Sequence, residues 1–286
     1  MAEVLDKKKI RKVFRDVQKH LAIAQLIRRF STNKEDIRKT ALNHVDLSNR
    51  HNVLELGCAF GAFTEALKDR LSSDATITGI DIIPEYKPFF LDACRRAGYS
   101  GTFSSSGIDQ IRKHSDNSFD LVICSYALYF FPDMIPEIAR ILKKDGIFIT
   151  ITHSREDMRE MVGIVKKILK QNNFLDHTQQ LPIEIIFDQF SAEKGRTLLQ
   201  PSFGKIQTID FKNTLVFQSH EMDHFLDYFQ FKKSFFLMGT EAHNKNIIHQ
   251  LLSELQDTAM KKNFVTMCKD DRIFICSRPI KPEEIL

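Results

Sequence analysis

The chain has 286 residues, of which 43% are hydrophobic and 27% are charged, enough to bury a sizeable core in one large α/β domain or two smaller ones. Lys and Arg total 41 against 37 Asp and Glu, and this net charge of +4 is too small to indicate a nucleic-acid partner by itself. The five cysteines include no C-x-x-C pair, which argues against a disulfide framework and against a structural zinc site. No apolar run is long enough to span a bilayer, and the first residues are charged where a signal peptide would be apolar. We therefore expect a cytoplasmic protein without a bound metal.

Residues 1–47 carry apolar side chains at helical spacing and more Lys and Arg than Asp and Glu. This pattern predicts two or three amphipathic helices before the first strand. The helices either cover the mouth of a ligand site or pack on the flank of a sheet. Their excess of basic residues indicates either a binding surface for an acidic partner or an ordinary solvent-exposed face of the helices.

The central motif is an apolar run, Val53–Leu56, followed by the small residues Gly57, Ala59 and Gly61 and then by a helical pattern. Such a pattern is typical of a strand, a tight turn and a helix start. Residues without bulk let the chain reverse sharply and let backbone N–H groups approach a ligand closely. The motif therefore predicts a binding site for a nucleotide-like cofactor.

A second part of this site is predicted about twenty residues later, where a β-branched strand ends in Asp81. In doubly wound sheets, an acid at the end of the second strand accepts hydrogen bonds from ribose hydroxyls. A dinucleotide fingerprint would place glycines at positions 57, 59 and 62, but alanine stands at the last two. The spacing alone does not decide which nucleoside cofactor binds.

The rest of the chain continues the alternation of strands and helices. Further strands are predicted at residues 101–106, 118–125 and 147–152, and their rhythm indicates right-handed parallel crossovers. Helices are predicted at 155–175, around 226–228 and around 247–255, and a strand at 206–212. Two last strands, 264–268 and 272–276, are predicted to form a hairpin around residues 269–271.

Three segments carry a family resemblance. Glu55-Leu56-Gly57-Cys58-Ala59-Phe60-Gly61 resembles the first motif of class I S-adenosylmethionine-dependent methyltransferases, with alanine replacing the middle glycine. Residues 117–122 resemble the entry to the fourth strand of that family. Residues 138–146 are similar to its approach to strand five, with lysine and aspartate replacing the usual proline and first glycine. Together with Asp81, these features follow the family order over about a hundred residues.

The resemblance implies a fold and a division of the chain. The fold is α/β: a Rossmann-like, doubly wound, mostly parallel seven-stranded sheet with an antiparallel C-terminal hairpin and a helical cap. Residues 1–47 would be the cap, 48–165 the cofactor-binding core and 166–240 an inserted lid or substrate region. Residues 241–286 would supply a helix and the hairpin that completes the sheet.

The resemblance also implies S-adenosyl-L-methionine as cofactor and assigns its contacts. Residues of the small-residue motif would surround the methionine part, Asp81 would hold the ribose, and Ser125 would touch the cofactor through its backbone. Ile82 would pack against the adenine, and Gly107 and Ile108 would meet the adenine edge, although the usual acidic residue is absent there. The implied cofactor-binding residues are Glu55, Gly57, Cys58, Ala59, Gly61, Asp81, Ile82, Gly107, Ile108 and Ser125.

Methyl transfer from a sulfonium is an in-line displacement, so alignment in a water-excluded site supplies most of the catalysis. Tyr126 and Tyr129 follow the fourth strand, where ligands gather in open α/β sheets, and either flank the acceptor or the sulfonium or simply pack under the lid. His153, after the fifth strand, is either a proton acceptor for the methyl acceptor or an ordinary surface histidine.

These features favour a methyltransferase that acts on nitrogen or oxygen of a small molecule under a helical lid. The layout, with Leu128-Tyr129-Phe130, is similar to histamine N-methyltransferase-like proteins. An RNA or protein methyltransferase is the first alternative, but residues 124–127 lack the N-P-P-Y type motif and no Pro-Cys pair occurs. A catalytically silent binding module is the second, against which the intact motif and Asp81 argue. The methyl acceptor and the oligomeric state stay open.

Overall fold

The computed structural model describes residues 7–176, 178–237 and 245–281. Their strands are β1 (Asn52–Leu56), β2 (Thr76–Ile80), β3 (Ser100–Ser104), β4 (Phe119–Ser125), β5 (Leu142–His153), β6 (Phe203–Phe211), β7 (Thr214–Gln218), β8 (Phe264–Cys268) and β9 (Asp271–Pro279). Their α-helices are α1 (Lys7–Phe14), α2 (Val17–Phe30), α3 (Ile37–Leu42), α4 (Ala62–Ala66), α5 (Lys87–Ala97), α6 (Ile135–Ile141), α7 (Arg159–Gln171), α8 (Pro182–Gln189), α9 (Gly195–Leu199), α10 (Met222–Leu237) and α11 (Lys245–Lys262). Parts of the predicted segments 1–47, 166–240 and 241–286 lie outside the described residues.

The chain forms two compact units, each assembled from three stretches of sequence. The sheet unit comprises residues 35–153, 189–211 and 271–286. The helical unit comprises residues 1–34, 154–188 and 212–270.

The sheet unit contains a seven-stranded sheet in the order β3-β2-β1-β4-β5-β9-β6. Strands β1 to β5 run parallel, and β9 lies antiparallel between β5 and β6. β4 is buried along nearly its whole length because its continuous apolar run is covered on both faces. The predicted seven-stranded, mostly parallel α/β sheet is confirmed. Its parallel strands bring the ends of β1, β2, β4 and β5 to one edge.

The predicted C-terminal hairpin is wrong in its pairing, although both of its strands exist. β8 pairs with β7 in a separate two-stranded sheet, whereas β9 joins the large sheet, whose seventh strand is β6. The connection does not form a hairpin turn because it is held within the helical unit. Lys269 is 4% exposed and its Nζ lies 2.8 Å from Asp157 Oδ1, while its backbone N–H donates to Asn213 O at 3.0 Å.

The helical unit has a core of aromatic side chains. Phe30 packs on Phe217 with ring centroids 4.4 Å apart, and Phe217 meets Phe225 edge-on at 5.4 Å. Of the helices described, none combines the length and apolar character needed to cross a bilayer. All five cysteines are buried free thiols.

Candidate active site

The small-residue motif forms the turn after β1. Gly57, Ala59 and Gly61 all have positive φ, at 65°, 44° and 80°. The N–H of Gly57 donates to Ile80 O at 2.8 Å, which fastens the turn to the end of β2. A Cβ on Gly57 would lie 2.5 Å from the Cβ of Ala127, so only glycine fits between the turn and the segment after β4. Ala59 adopts a conformation that an L-residue enters only at a cost.

Asp81 connects this turn to the segment after β2. Its Oδ2 accepts from the backbone N–H of Ala59 at 3.0 Å, and its Oδ1 accepts from that of Ile83 at 3.0 Å. Burial raises the pKa of Asp81 to about 6, against the lowering effect of these backbone hydrogen bonds. The backbone N–H of Ile82 is a third donor to this carboxylate, which has about four lone-pair sites, so Asp81 can accept one further hydrogen bond. Asp81 therefore combines a structural role with the capacity to bind a hydroxyl group.

Glu55 lies inside the unit at the end of β1, with 3% of its surface exposed. Its Oε2 accepts from Thr64 Oγ1 of α4 at 2.5 Å. Burial raises the pKa of Glu55 to about 7, because the hydrogen bond from Thr64 offsets only part of the cost of desolvating the charge. Cys58, beside it in the chain, is buried, and burial raises the pKa of its thiol as well. Thus the first motif holds a carboxyl group that a nearby positive charge would ionise.

The residues predicted near the adenine lie at the same edge. The N–H of Asp81 donates to Ser104 O at 3.1 Å, which joins the ends of β2 and β3. Gly107 has φ 84° and precedes the 3-10 turn that begins at Ile108. A Cβ on Gly107 would lie 3.6 Å from Ile82 Cγ2, so these two residues are neighbours. Ser125 ends β4 and is paired in register with Ile151 of β5.

The three predicted catalytic residues, Tyr126, Tyr129 and His153, form one cluster at the ends of β4 and β5. The Tyr126 and His153 rings stack with centroids 4.6 Å apart and planes 29° from parallel. The Tyr129 ring lies 6.2 Å from that of His153, at 20°. His153 is 8% exposed, so the alternative of an ordinary surface histidine does not describe it.

Asp271, which sequence reasoning missed, holds this cluster together. Its Oδ1 lies 2.7 Å from His153 Nδ1, and its Oδ2 accepts from Tyr126 O–H at 2.6 Å. Asp271 opens β9 and is paired in register with His153 at the end of β5. The predicted hairpin placed Asp271 in the connection between its two strands, which gave no reason to expect it beside His153.

The comparison with known families identifies the domain. Residues 54–150 match a family described as a methyltransferase domain. This range contains β2, β3 and β4, most of β1 and of β5, the turn after β1, Glu55 and Asp81.

Two relatives are similar over part of the chain. An uncharacterized methyltransferase of Bacillus subtilis, YcgJ, is 27% identical over 110 residues, which cover 36% of this chain and 41% of that protein. A ubiquinone biosynthesis O-methyltransferase of Idiomarina loihiensis is 27% identical over 126 residues, which cover 43% of this chain and 51% of that protein. The chain thus spans about half the length, or less, of these relatives.

Solved structures share the fold over a longer range. The crystal structure of Bacillus subtilis YcgJ superposes with a TM-score of 0.52 at 16% identity, covering 84% of this chain and 97% of that one. A putative methyltransferase from Bacillus halodurans gives a TM-score of 0.52 at 12% identity, covering 85% of this chain and 99% of that one. Residues 54–150 are therefore similar to a methyltransferase domain, and the chain shares the fold of these solved structures.

Proposed function

We propose that this protein transfers a methyl group from S-adenosylmethionine to a nitrogen or oxygen atom of a small molecule. The observation that carries the proposal is the bridge made by Asp81 between Ala59 of the first turn and Ile83 after β2. It creates an acidic, glycine-lined edge at the carboxyl ends of two adjacent parallel strands, where nucleosides bind in open α/β sheets.

The residues present fit this cofactor. Asp81 has acceptor capacity for a ribose hydroxyl, and the adjacent Ile82 and Gly107 offer an apolar surface to the adenine. Ile108 follows directly. At the other end, the buried Glu55 favours a cationic tail, because a nearby ammonium would stabilise its ionised form.

S-adenosylmethionine, when bound, supplies an electrophilic methyl group on a sulfonium. The chain's own part is to hold and align. Gly57, Ala59 and Gly61 would leave room for the methionine portion, with Cys58 in the same turn. Ser125, at the end of β4, would touch the cofactor through its backbone. Gly57 is packed against Ala127, which follows Tyr126 in the chain, so the aromatic cluster lies next to the turn after β1. Tyr126 and Tyr129 would flank the acceptor there, and His153 would take its proton.

The acceptor would be selected by segments outside residues 54–150. Residues 1–47 would act as a cap and 166–240 as a lid, in keeping with the similarity in layout to histamine N-methyltransferase-like proteins. Support for an oxygen acceptor comes from relatives. Besides the ubiquinone enzyme, a malonyl-[acyl-carrier protein] O-methyltransferase of Acetivibrio thermocellus is 29% identical over 127 residues, 42% of this chain and 43% of that protein.

Titration calorimetry with S-adenosylmethionine tests the cofactor assignment. Asp81→Ala should weaken binding by about 1–3 kcal/mol, since it removes a charged hydrogen-bonding partner. Asp81→Asn, which keeps one acceptor oxygen for the turn, should weaken binding with a smaller loss of folding stability. Asp92→Asn is the matched control, because Asp92 pairs with Arg95 and Arg96 on the surface of α5. Equal affinity of wild type and both Asp81 variants would show that the ribose lies elsewhere.

Incubation with methyl-labelled cofactor separates the classes of acceptor. Label recovered in small molecules supports the proposal. Label recovered in added RNA or protein, with salt-dependent retention on RNA, favours the first alternative. A protein that binds neither the cofactor nor its demethylated product would be a silent binding module.

A further inference from the structure

Glu55 is a buried acid that no cation contacts. It is 3% exposed, and its Oε2 accepts a hydrogen bond from Thr64 Oγ1. Among the residues that the structure describes, no Lys, Arg or His forms an ion pair with this carboxyl group. An ionised carboxylate in such a place is costly, because the hydrogen bond from Thr64 replaces only part of its hydration. Burial and contacts therefore favour the protonated form of Glu55 in the protein without cofactor.

Two charged groups face Glu55 from neighbouring elements, and their effects on its pKa oppose each other. Burial has the largest effect and, against the hydrogen bond from Thr64, raises the pKa to about 7. The positive charge of Arg38, on α3, lowers the pKa, whereas the negative charge of Asp81 raises it. Arg38 also lies 3.3 Å from Asp36, measured from Nη1 to Oδ1, and this carboxylate shares its charge. The two charged neighbours therefore leave an ionised Glu55 without a cation in contact.

The thiols around Glu55 carry no charge. Those of Cys58, Cys94 and Cys124 interact electrostatically with Glu55 and are at most 2% exposed. Burial raises the pKa of all three above that of an ordinary thiol, so they stay protonated in neutral solution. Asp81 is different, because burial raises the pKa of this carboxyl group to about 6. Of these neighbours, Asp81 alone titrates in the same pH range as Glu55.

We propose that Glu55 couples cofactor binding to proton release: it is protonated in the protein without cofactor and gives its proton to solvent when the ammonium group of the cofactor's amino-acid tail binds beside it. This inference rests on the proposed function. The ammonium supplies the cation that the site lacks, and a cation near a carboxyl group favours the ionised form. Because protons then compete with the cofactor, affinity falls as the pH falls below the pKa of Glu55. Acidification would therefore unload the enzyme.

The size of the effect follows from the pKa of Glu55. At a pKa of about 7, Glu55 is ionised in about 3% of the molecules at pH 5.5 and in about 75% at pH 7.5. Affinity for a ligand that binds only the ionised form should therefore rise about 25-fold between these pH values. Asp81 adds a pH dependence of its own, because ribose hydroxyls donate to its ionised form. Methylthioadenosine has the ribose and adenine but no amino-acid tail, so comparison with this ligand isolates the contribution of Glu55.

Titration calorimetry with S-adenosylhomocysteine, the demethylated product, tests the inference without methyl transfer. This ligand keeps the amino-acid tail, and its ammonium stays protonated over the range used. We expect its affinity relative to that of methylthioadenosine to be about 25-fold higher at pH 7.5 than at pH 5.5. At pH 6.5, buffers of different ionisation enthalpy should show about one more proton released with S-adenosylhomocysteine than with methylthioadenosine. Equal proton release and a constant affinity ratio would overturn the inference.

Two variants assign the effect to Glu55. Glu55→Gln should make the affinity ratio independent of pH and weaken binding of S-adenosylhomocysteine about 10-fold at pH 7.5, because it removes the charge that faces the ammonium. Glu65→Gln is the matched control, since Glu65 pairs with Arg96 at the surface, and it should behave as the wild type does. A pH-dependent ratio that persists in Glu55→Gln would overturn the inference, and if that variant fails to fold, the proton count of the wild type decides. Failure of the wild type to bind either ligand would instead overturn the proposed function.

Discussion

Replacing Glu55 by glutamine should stabilise the protein at pH 8 and have a much smaller effect at pH 5. The reason is burial: Glu55 is 3% exposed, and its pKa is raised from 4.5 to about 7. A carboxyl whose pKa is higher in the folded state than in the unfolded state favours folding at low pH, and this contribution disappears as the pH rises through the folded-state pKa. Glutamine keeps an acceptor oxygen for Thr64 and has no charge to desolvate.

The magnitude follows from the two pKa values. Their difference of about 2.5 units corresponds to about 3 kcal/mol, at 1.36 kcal/mol per unit. Between pH 5 and pH 8, the wild type should lose about 2–3 kcal/mol of unfolding free energy that the variant retains. The contribution of Asp81, whose pKa is also raised, is present in both proteins and largely cancels in the difference.

Urea denaturation followed by circular dichroism at pH 5, 6.5 and 8 measures this effect. Glu65→Gln is the matched control, since Glu65 lies in the same helix as Thr64 but pairs with Arg96 at the surface. The control should follow the wild type in its pH dependence. Parallel curves for wild type and Glu55→Gln would refute the reasoning, because Glu55 would then be ionised in the folded protein at no cost.

Three other substitutions test the packing around the site and in the helical unit. Ala59→Gly relieves a φ of 44°, worth about 1 kcal/mol and partly offset by unfolded-state entropy, so calorimetry should find cofactor binding equal or tighter, and weaker binding would contradict the assignment. Gly61→Ala places a Cβ 2.6 Å from that of Ala93, whereas Gly98→Ala, at a similar positive φ, meets nothing within 4 Å. Thermal unfolding should therefore show the first to be less stable than the second by about 1–3 kcal/mol, and equal stability would count against the close contact. Lys269→Met removes the ammonium group that lies 2.8 Å from the buried Asp157 carboxylate and should lower the unfolding free energy by about 3–5 kcal/mol, and an unaltered denaturation midpoint would contradict this.

Local sequence pattern was sufficient for the parts of the fold that are local. The apolar run before Gly57 and the β-branched run before Asp81 predicted β1 and β2, because a buried parallel strand needs such residues on both faces. The turn between β1 and α4 was predictable because small residues directly after an apolar run are typical of a sharp reversal of the chain. The location of Asp81 at the same sheet edge followed from the parallel crossover.

Pairings across long distances in sequence were not predictable in this way. His153 and Asp271 are 118 positions apart, and only the register of β5 against β9 brings them together. The pattern of residues 264–276 fits a hairpin. The alternation of apolar and polar residues is the same whether two successive strands pair with each other or join different sheets. What decided between the two was the burial of Lys269 against Asp157, a contact that sequence spacing does not reveal.

A crystal structure of the protein grown with S-adenosylmethionine tests the central claim most directly. We expect the adenosine at the carboxyl ends of β1 and β2, with a ribose hydroxyl on Asp81 and its adenine beside Ile82. A nucleoside bound elsewhere, or side chains filling the space beside Gly57 and Gly61 when the cofactor is present, would contradict the account.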